Sequence, residues 1–234
     1  MQTQPVPCNL SPKKHTMMPK NCLVEVISMN RRYPSLLVSI ALLFLTACSE
    51  SPKTESTGSD TAGPSGPVTG KDAFWQMYKL AYSSWAKDLM PVKLESKEVA
   101  GVKNEAGKAG MWKATFGSTS KHEVVEITYS VVAQPPDITK GINFGHKVPW
   151  AGPTGDAMTF GTADLSVDSD AAYKTASAQA DAWIKKHPDT QPSFALGKSN
   201  RFSTPVWWVL WGDSKTGYGV FINAKTGAVA KPGK

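Results

Sequence analysis

Apolar residues return every three or four positions between Asp72 and Leu89. Phe74, Met77, Tyr78, Ala81, Tyr82 and Trp85 therefore share one face, and the spacing predicts a helix over that span. Thr69, three residues before Asp72, is placed to cap it, and Pro91 marks its end. Weak alternation over Val92–Val102 predicts a strand. Stronger strands are expected at Met111–Phe116 and Glu123–Val132, joined by a turn at Gly117–Lys121. In the second, Val125, Ile127, Tyr129 and Val131 face one way and Glu126, Thr128 and Ser130 the other, as in a half-buried antiparallel strand. Gln134–Asp164 is rich in Gly and Pro and reads as a long connection with local turns. A second helix is expected over Ser169–Lys186, with the stripe Ala172, Tyr173, Ala176, Ala180, Trp183 and Ile184. Asp168 or Ser169 would cap it, and Lys185 and Lys186 suit the negative end of its dipole. Strands at Ser193–Gly197, Pro205–Trp211 and Tyr218–Asn223 follow, with a hairpin loop at Gly212–Gly217. The fold class expected is α+β, with helices packed on antiparallel sheet.

Upstream, the pattern changes. Arg31 and Arg32 precede an apolar run, Ser35–Ala47, which is about half the ~20 residues a spanning helix needs. It ends in Leu45-Thr46-Ala47-Cys48. A positive region, a short apolar region, small residues and a cysteine make a secretory signal. This motif resembles the lipobox of bacterial lipoproteins. The resemblance implies that the Cys48 thiol is lipidated and becomes the first mature residue. Met29 is then the expected start, with 1–28 an over-extended leader, 29–47 the signal peptide and 48–70 the anchor and tether. Ser49–Gly70 is almost wholly Ser, Thr, Gly, Pro and charged residues. It cannot bury apolar surface, and as a coil it spans roughly 25 Å. Ser49 is not the aspartate associated with inner-membrane retention. In a host with two membranes this pattern resembles an outer-membrane lipoprotein facing the periplasm.

The bulk numbers follow from that boundary. The whole chain has 26 Lys and Arg against 19 Asp and Glu, a net +7. Lys13, Lys14, Lys20, Arg31, Arg32 and Glu25 lie before Cys48, so the mature chain keeps 21 against 18, or +3. Its lysines are scattered, and no nucleic-acid footprint is expected. Cys8 and Cys22 also lie upstream, so a packed core rather than a disulfide must hold the domain together.

The halves 71–164 and 165–234 read as related, each running helix, strand, hairpin. Tyr78-Lys79 matches Tyr173-Lys174, and Trp112…Gly117 matches Trp207…Gly212, all at an offset of 95 residues. The sequence from Pro205 to Trp211, followed by Gly219–Val229 with Asn223-Ala224-Lys225-Thr226-Gly227, resembles the end of a PepSY domain. That resemblance covers about Leu165–Lys231, and the N-terminal half would be a diverged copy. It implies an exported or membrane-associated protein that binds or inhibits a peptidase or other protein. It carries over no catalytic residues.

Candidate chemistry is sparse. His122-Glu123-Val124-Val125-Glu126 lacks the second histidine of H-E-x-x-H and alternates like a strand, whereas the zinc motif needs a helix. His146 and His187 stand alone, and Asp164, Asp168 and Asp170 lack calcium-loop spacing. No catalytic residue, metal or cofactor is expected. The aromatic residues are the remaining candidates: Trp150 in the Gly/Pro-rich connection, and Trp207, Trp208 and Trp211 in one strand. Alternation puts Trp207 and Trp211 on one face, toward Trp183 and Tyr173, and Trp208 on the other. The expected function is a non-enzymatic, lipid-anchored protein that binds a protein or peptide. The alternatives are a small-molecule or glycan binder with a groove between helix and sheet, and an envelope hydrolase. Mass spectrometry of the exported protein is expected to find an acylated Cys48 at its N-terminus. An unmodified Cys48, or a chain still starting at Met1, contradicts the anchor.

Overall fold

The computed structural model describes residues 66–155 and 157–233; Cys48, its signal and most of the tether lie outside them. A two-residue strand β1 (Val68–Thr69) leads into helix α1 (Gly70–Ser84), and Thr69 Oγ1 accepts from Asp72 N, as its position anticipated. Strand β2 (Leu89–Lys97), short β3 (Lys108–Ala109), β4 (Met111–Ser118), β5 (Glu123–Ser130) and β6 (Gly141–Pro149) follow. After a 3-10 turn at Thr162–Asp164 come α2 (Ser169–Ile184), β7 (Pro192–Gly197), β8 (Val206–Trp211) and β9 (Tyr218–Asn223). The fold is α+β. Seven strands form one sheet in the order β6-β5-β4-β2-β7-β8-β9, with every pairing antiparallel, and β1 pairs with β3 beside it. Among the described residues no helix is long and apolar enough to cross a membrane.

Both helices lie on one face of the sheet, α1 over β2, β4 and β5 and α2 over β8 and β9. The alternation of each strand explains the choice of face. Trp112, Ala114 and Phe116 of β4, Val125, Ile127 and Tyr129 of β5, Phe194 and Leu196 of β7, and Trp207, Val209 and Trp211 of β8 all point beneath the helices and are buried. Their partners on the other face include Lys93, Glu95, Lys97, Lys113, Glu126 and Trp208, which stay partly or fully accessible.

The two halves join at the β2–β7 pairing, where Leu94 faces Leu196. Above that seam the helix N-termini meet. Asp168 Oδ1 accepts from Ser169 N at 2.6 Å, capping its own helix, and from Lys71 N of α1 at 2.9 Å. Ser169 Oγ accepts from Gly70 N at 2.7 Å and donates to Gly107 O at 2.5 Å. Below them Trp112 and Trp207 meet edge to face, with centroids 6.2 Å apart. Each indole N–H donates to the carbonyl just before a helix cap, Trp112 to Val68 O and Trp207 to Val167 O, both at 3.0 Å.

These bonds revise the helix alignment between the halves. Trp112 and Trp207 do occupy matching positions, 95 residues apart. The helices match at an offset of 99: Gly70 with Ser169, Ala73 with Ala172, Phe74 with Tyr173, Met77 with Ala176 and Ala81 with Ala180. Tyr78 is therefore not the counterpart of Tyr173.

Other boundaries moved as well. Helix α1 stops at Ser84, and Pro91 lies inside β2. The apolar period runs on through Trp85, but the next residues are captured by tertiary bonds. The Asp88 carboxylate accepts from Ser118 Oγ, Ser120 N, Ser120 Oγ and Thr119 Oγ1 at 2.7–3.1 Å, pinning the start of β2 to the β4–β5 turn. Those donors, Ser118 first, hold Asp88 well below the usual carboxylate range. The β2 strand ends at Lys97 rather than Val102. The supposed connection 134–164 contains β6, a nine-residue edge strand.

Helix caps are typically worth about 1 kcal/mol, and Asp168 serves two helices. Asp168→Ala should lower unfolding free energy by about 2 kcal/mol in urea titration, and Thr69→Ala by under ~1 kcal/mol. Equal losses for the two variants would contradict the shared cap.

Candidate functional site

The helix-free face of the sheet is a surface the core does not use. A register row crosses six of its strands: Thr128, Lys113, Glu95, Ala195, Trp208 and Phe221 stand opposite one another from β5 to β9. The row changes character halfway. On β2 and β4 it is ionic, and on β8 and β9 it is aromatic.

The ionic half centres on Glu95. Its carboxylate meets Lys93 Nζ at 2.5 Å, Lys97 Nζ at 2.7 Å and Lys113 Nζ at 3.5 Å, and Lys113 also reaches Glu126 at 2.8 Å. Partial burial opposes ionisation of Glu95, but the bonds from Lys93 and Lys97 outweigh it and lower its pKa to about 2.

The aromatic half forms the wall of a groove of about 410 Å³. Its floor is the open side of β7, where Ala195 and Gly197 leave little bulk. Trp208 stacks on Phe221 (centroids 5.8 Å, interplanar angle 22°), and Phe221 meets Phe202 at 5.0 Å. Gly219 allows this. A Cβ there would stand 2.4 Å from Trp208 Nε1, so only glycine lets the N–H edge of the indole come this close to β9. Arg201 places its guanidinium 5.9 Å from both the Phe202 and Phe221 rings. Lys93 and Lys198 complete the rim. The described lining includes no carboxylate.

The candidate tryptophans separate cleanly. Trp207 and Trp211 are buried in the core beneath α2, Trp207 also serving the seam, and neither reaches a surface. Trp208 lines the groove. Trp150 is half-buried and packs flat against the open side of Gly117, where a Cβ would stand 2.4 Å from its ring. That places it at the β4 end of the same face, three strands from Trp208. The space between helices and sheet is filled by side chains, so the groove lies on the opposite face from the one a helix–sheet cleft would occupy. His122 sits in the β4–β5 turn at φ 52°, His146 lies on edge strand β6, and His187 stacks on Trp183 past the end of α2. Sequence reasoning found Trp208 by alternation. It missed Phe202 and Arg201, which arrive from the β7–β8 loop, and Phe221 and Lys93, which adjacency in sequence does not link to Trp208.

No family model matches the chain, and no curated protein matches it. A search of solved structures returns a chain described as a "putative lipoprotein" from Clostridium difficile 630, at 11% identity and a TM-score of 0.45, covering 68% of this chain and 90% of that one.

Glu95 gives the face a pH signature. Its folded-state pKa of about 2 lies below the ordinary 4.5, so the extra stability is complete above about pH 5 and is lost as pH falls through about 2. Solvent around Lys93 and Lys97 screens the pairs, so Glu95→Gln should cost about 1–2 kcal/mol at pH 7 by chemical denaturation. The gap between the two proteins should narrow as the pH falls toward 2. A constant gap from pH 7 to 2 would show that the lysines do not hold Glu95 ionised.

Proposed function

We propose that this chain is a lipid-anchored protein of the bacterial envelope that binds a protein or peptide partner on the helix-free face of its sheet, without catalysing a reaction on it. Cys48 would carry the lipid, and Ser49–Gly70 would let the domain range over the membrane surface, here read as the periplasmic side of an outer membrane. The observation that carries the binding role is the groove itself. Trp208, Phe221 and Phe202 form an accessible aromatic wall beside Lys93, Lys198 and Arg201, and none of these aromatic residues is needed to fill the core under the helices. Aromatic and arginine side chains are the groups that dominate protein interfaces.

The PepSY-like reading of 165–234 supports the same role. The order α2, β7, β8, β9 agrees with the expected helix followed by an aromatic strand and a closing strand. Asn223 Oδ1 accepts from Lys225 N and Thr226 N, and Gly227 takes a φ of 74°, which is the turn chemistry the N-A-x-T-G segment requires.

A photo-crosslinking amino acid at Ala195, on the groove floor, is expected to yield a defined protein adduct in intact cells. The same probe at Gln76, on the outer side of α1, is expected to yield none, and Trp208→Ala is expected to abolish the Ala195 adduct. Absence of any adduct at Ala195, with a glycan-induced thermal shift instead, would replace the protein partner by a sugar.

A further inference from the structure

The groove has a direction, and its two walls differ in chemistry. The open side of β7 carries only Ser193, Ala195 and Gly197, between the charged row of β2 and the bulky Trp208 and Leu210 of β8. Strands two apart are about 9.6 Å from one another, so the trough above β7 is wide enough for a single extended chain. On the β2 side Lys93 lines the groove, with its ion-pair partner Glu95 and then Lys97 further along the strand; on the other side is Trp208, stacked on Phe221. At the Gly197 end stand Lys198 and Arg201. Among the described strand and groove residues of this face, Lys93, Lys97, Lys113, Lys198 and Arg201 stand against Glu95 and Glu126, five cations to two carboxylates and a balance of +3. The carboxylates face lysines already, so the surplus is positive.

An extended peptide lying in the trough presents alternate side chains to the two walls, because successive side chains of a strand point to opposite sides. We infer that the groove takes an extended peptide segment in which acidic residues alternate with apolar ones, its acidic side toward Lys93, Lys97, Lys198 and Arg201 and its apolar side against Trp208 and Phe221. The inference rests on the binding role proposed above and specifies its ligand. The ion-paired lattice around Glu95 gives the charged wall a fixed geometry. Each ammonium paired to Glu95 keeps further N–H donors for a ligand, and Lys93 is the one that lines the groove. An anionic bilayer would meet the same cations, but the lysine row and the aromatic row flank a channel one chain wide, and a flat lipid surface does not enter it.

The test uses the mature protein and three probes: the labelled peptide Ac-Glu-Leu-Glu-Phe-Glu-NH2, its lysine counterpart Ac-Lys-Leu-Lys-Phe-Lys-NH2, and vesicles of phosphatidylglycerol and phosphatidylcholine. Fluorescence anisotropy is expected to show the acidic peptide binding at least tenfold more tightly than the lysine peptide, and more weakly as salt is raised. Arg201→Gln should weaken it about fivefold, and Ala195→Leu, which fills the floor, at least as much. Lys121→Gln, in the distant β4–β5 turn, should leave it unchanged. Thermal melts and near-ultraviolet circular dichroism confirm that each variant is folded, and Arg201→Gln keeps the answer available should Ala195→Leu not fold. Equal binding of the two peptides, or no binding of the acidic one, overturns the inference. Vesicle binding that Ala195→Leu abolishes while the acidic peptide stays unbound overturns it in favour of a membrane surface. A protein adduct from the Ala195 crosslinker together with failure of the acidic peptide rejects this ligand class and leaves the binding role standing. Absence of both rejects the binding role as well.

Discussion

Two helix N-termini pointing at the same spot should repel, since each carries about half a positive charge and several unpaired N–H groups. In this protein they converge, and the Asp168 carboxylate lies between them, accepting from Ser169 N on one side and Lys71 N on the other. Ser169 Oγ completes the joint through Gly70 N and Gly107 O. The rest of the architecture follows. With both helix starts fixed over the seam, α1 and α2 spread outward over separate halves of one face, and Trp112 and Trp207 close the gap beneath them. One side of the sheet is thereby covered over β2, β4, β5, β8 and β9, with edge strand β6 beyond the helices, and the other side carries no helix. The uncovered face is a consequence of where the helices are tied.

That uncovered face is held in order by charge and by glycine rather than by a second helical layer. Glu95 surrounded by three lysines organises its centre, and Gly219 lets the Trp208 indole edge close in on β9 at its margin. Exposed ion pairs contribute little stability individually. A lattice sharing one carboxylate restricts where the lysine side chains point. The groove therefore combines a fixed cationic wall, a flat aromatic wall and a floor of small residues, each set by the period of a strand.

Much of the fold was legible because that period is strong. Strand β9 falls on Tyr218–Asn223 as read, β5 shows the expected alternation, and Asp168 caps α2. The strand β6 was not legible: Gly141, Gly145 and Pro149 read as loop chemistry, and an edge strand tolerates them because one side of its backbone needs no partner. The end of α1 was misplaced because hydrogen bonds from a turn thirty residues away decide it. The Tyr-Lys pairs do not take equivalent helix positions, because the two helices start 99 residues apart rather than 95, and small buried residues such as Ala73 and Ala172 take the matching places. For the site, alternation isolated Trp208 from its buried neighbours Trp207 and Trp211. Lys93, Arg201, Phe202 and Phe221 come from other strands and a loop, and only the sheet order β2-β7-β8-β9 brings them to it.

The central claim is that the helical side is structural and the helix-free side meets a partner. Oxidative footprinting of the protein in intact cells, compared with the purified protein, reads both sides at once. Tyr82 on α1 is 44% exposed and reports the helical side, while Trp208 and Phe221 report the other. The account predicts that Trp208 and Phe221 are protected in cells while Tyr82 is oxidised equally in both settings. Protection of Tyr82 with Trp208 and Phe221 unchanged would contradict it.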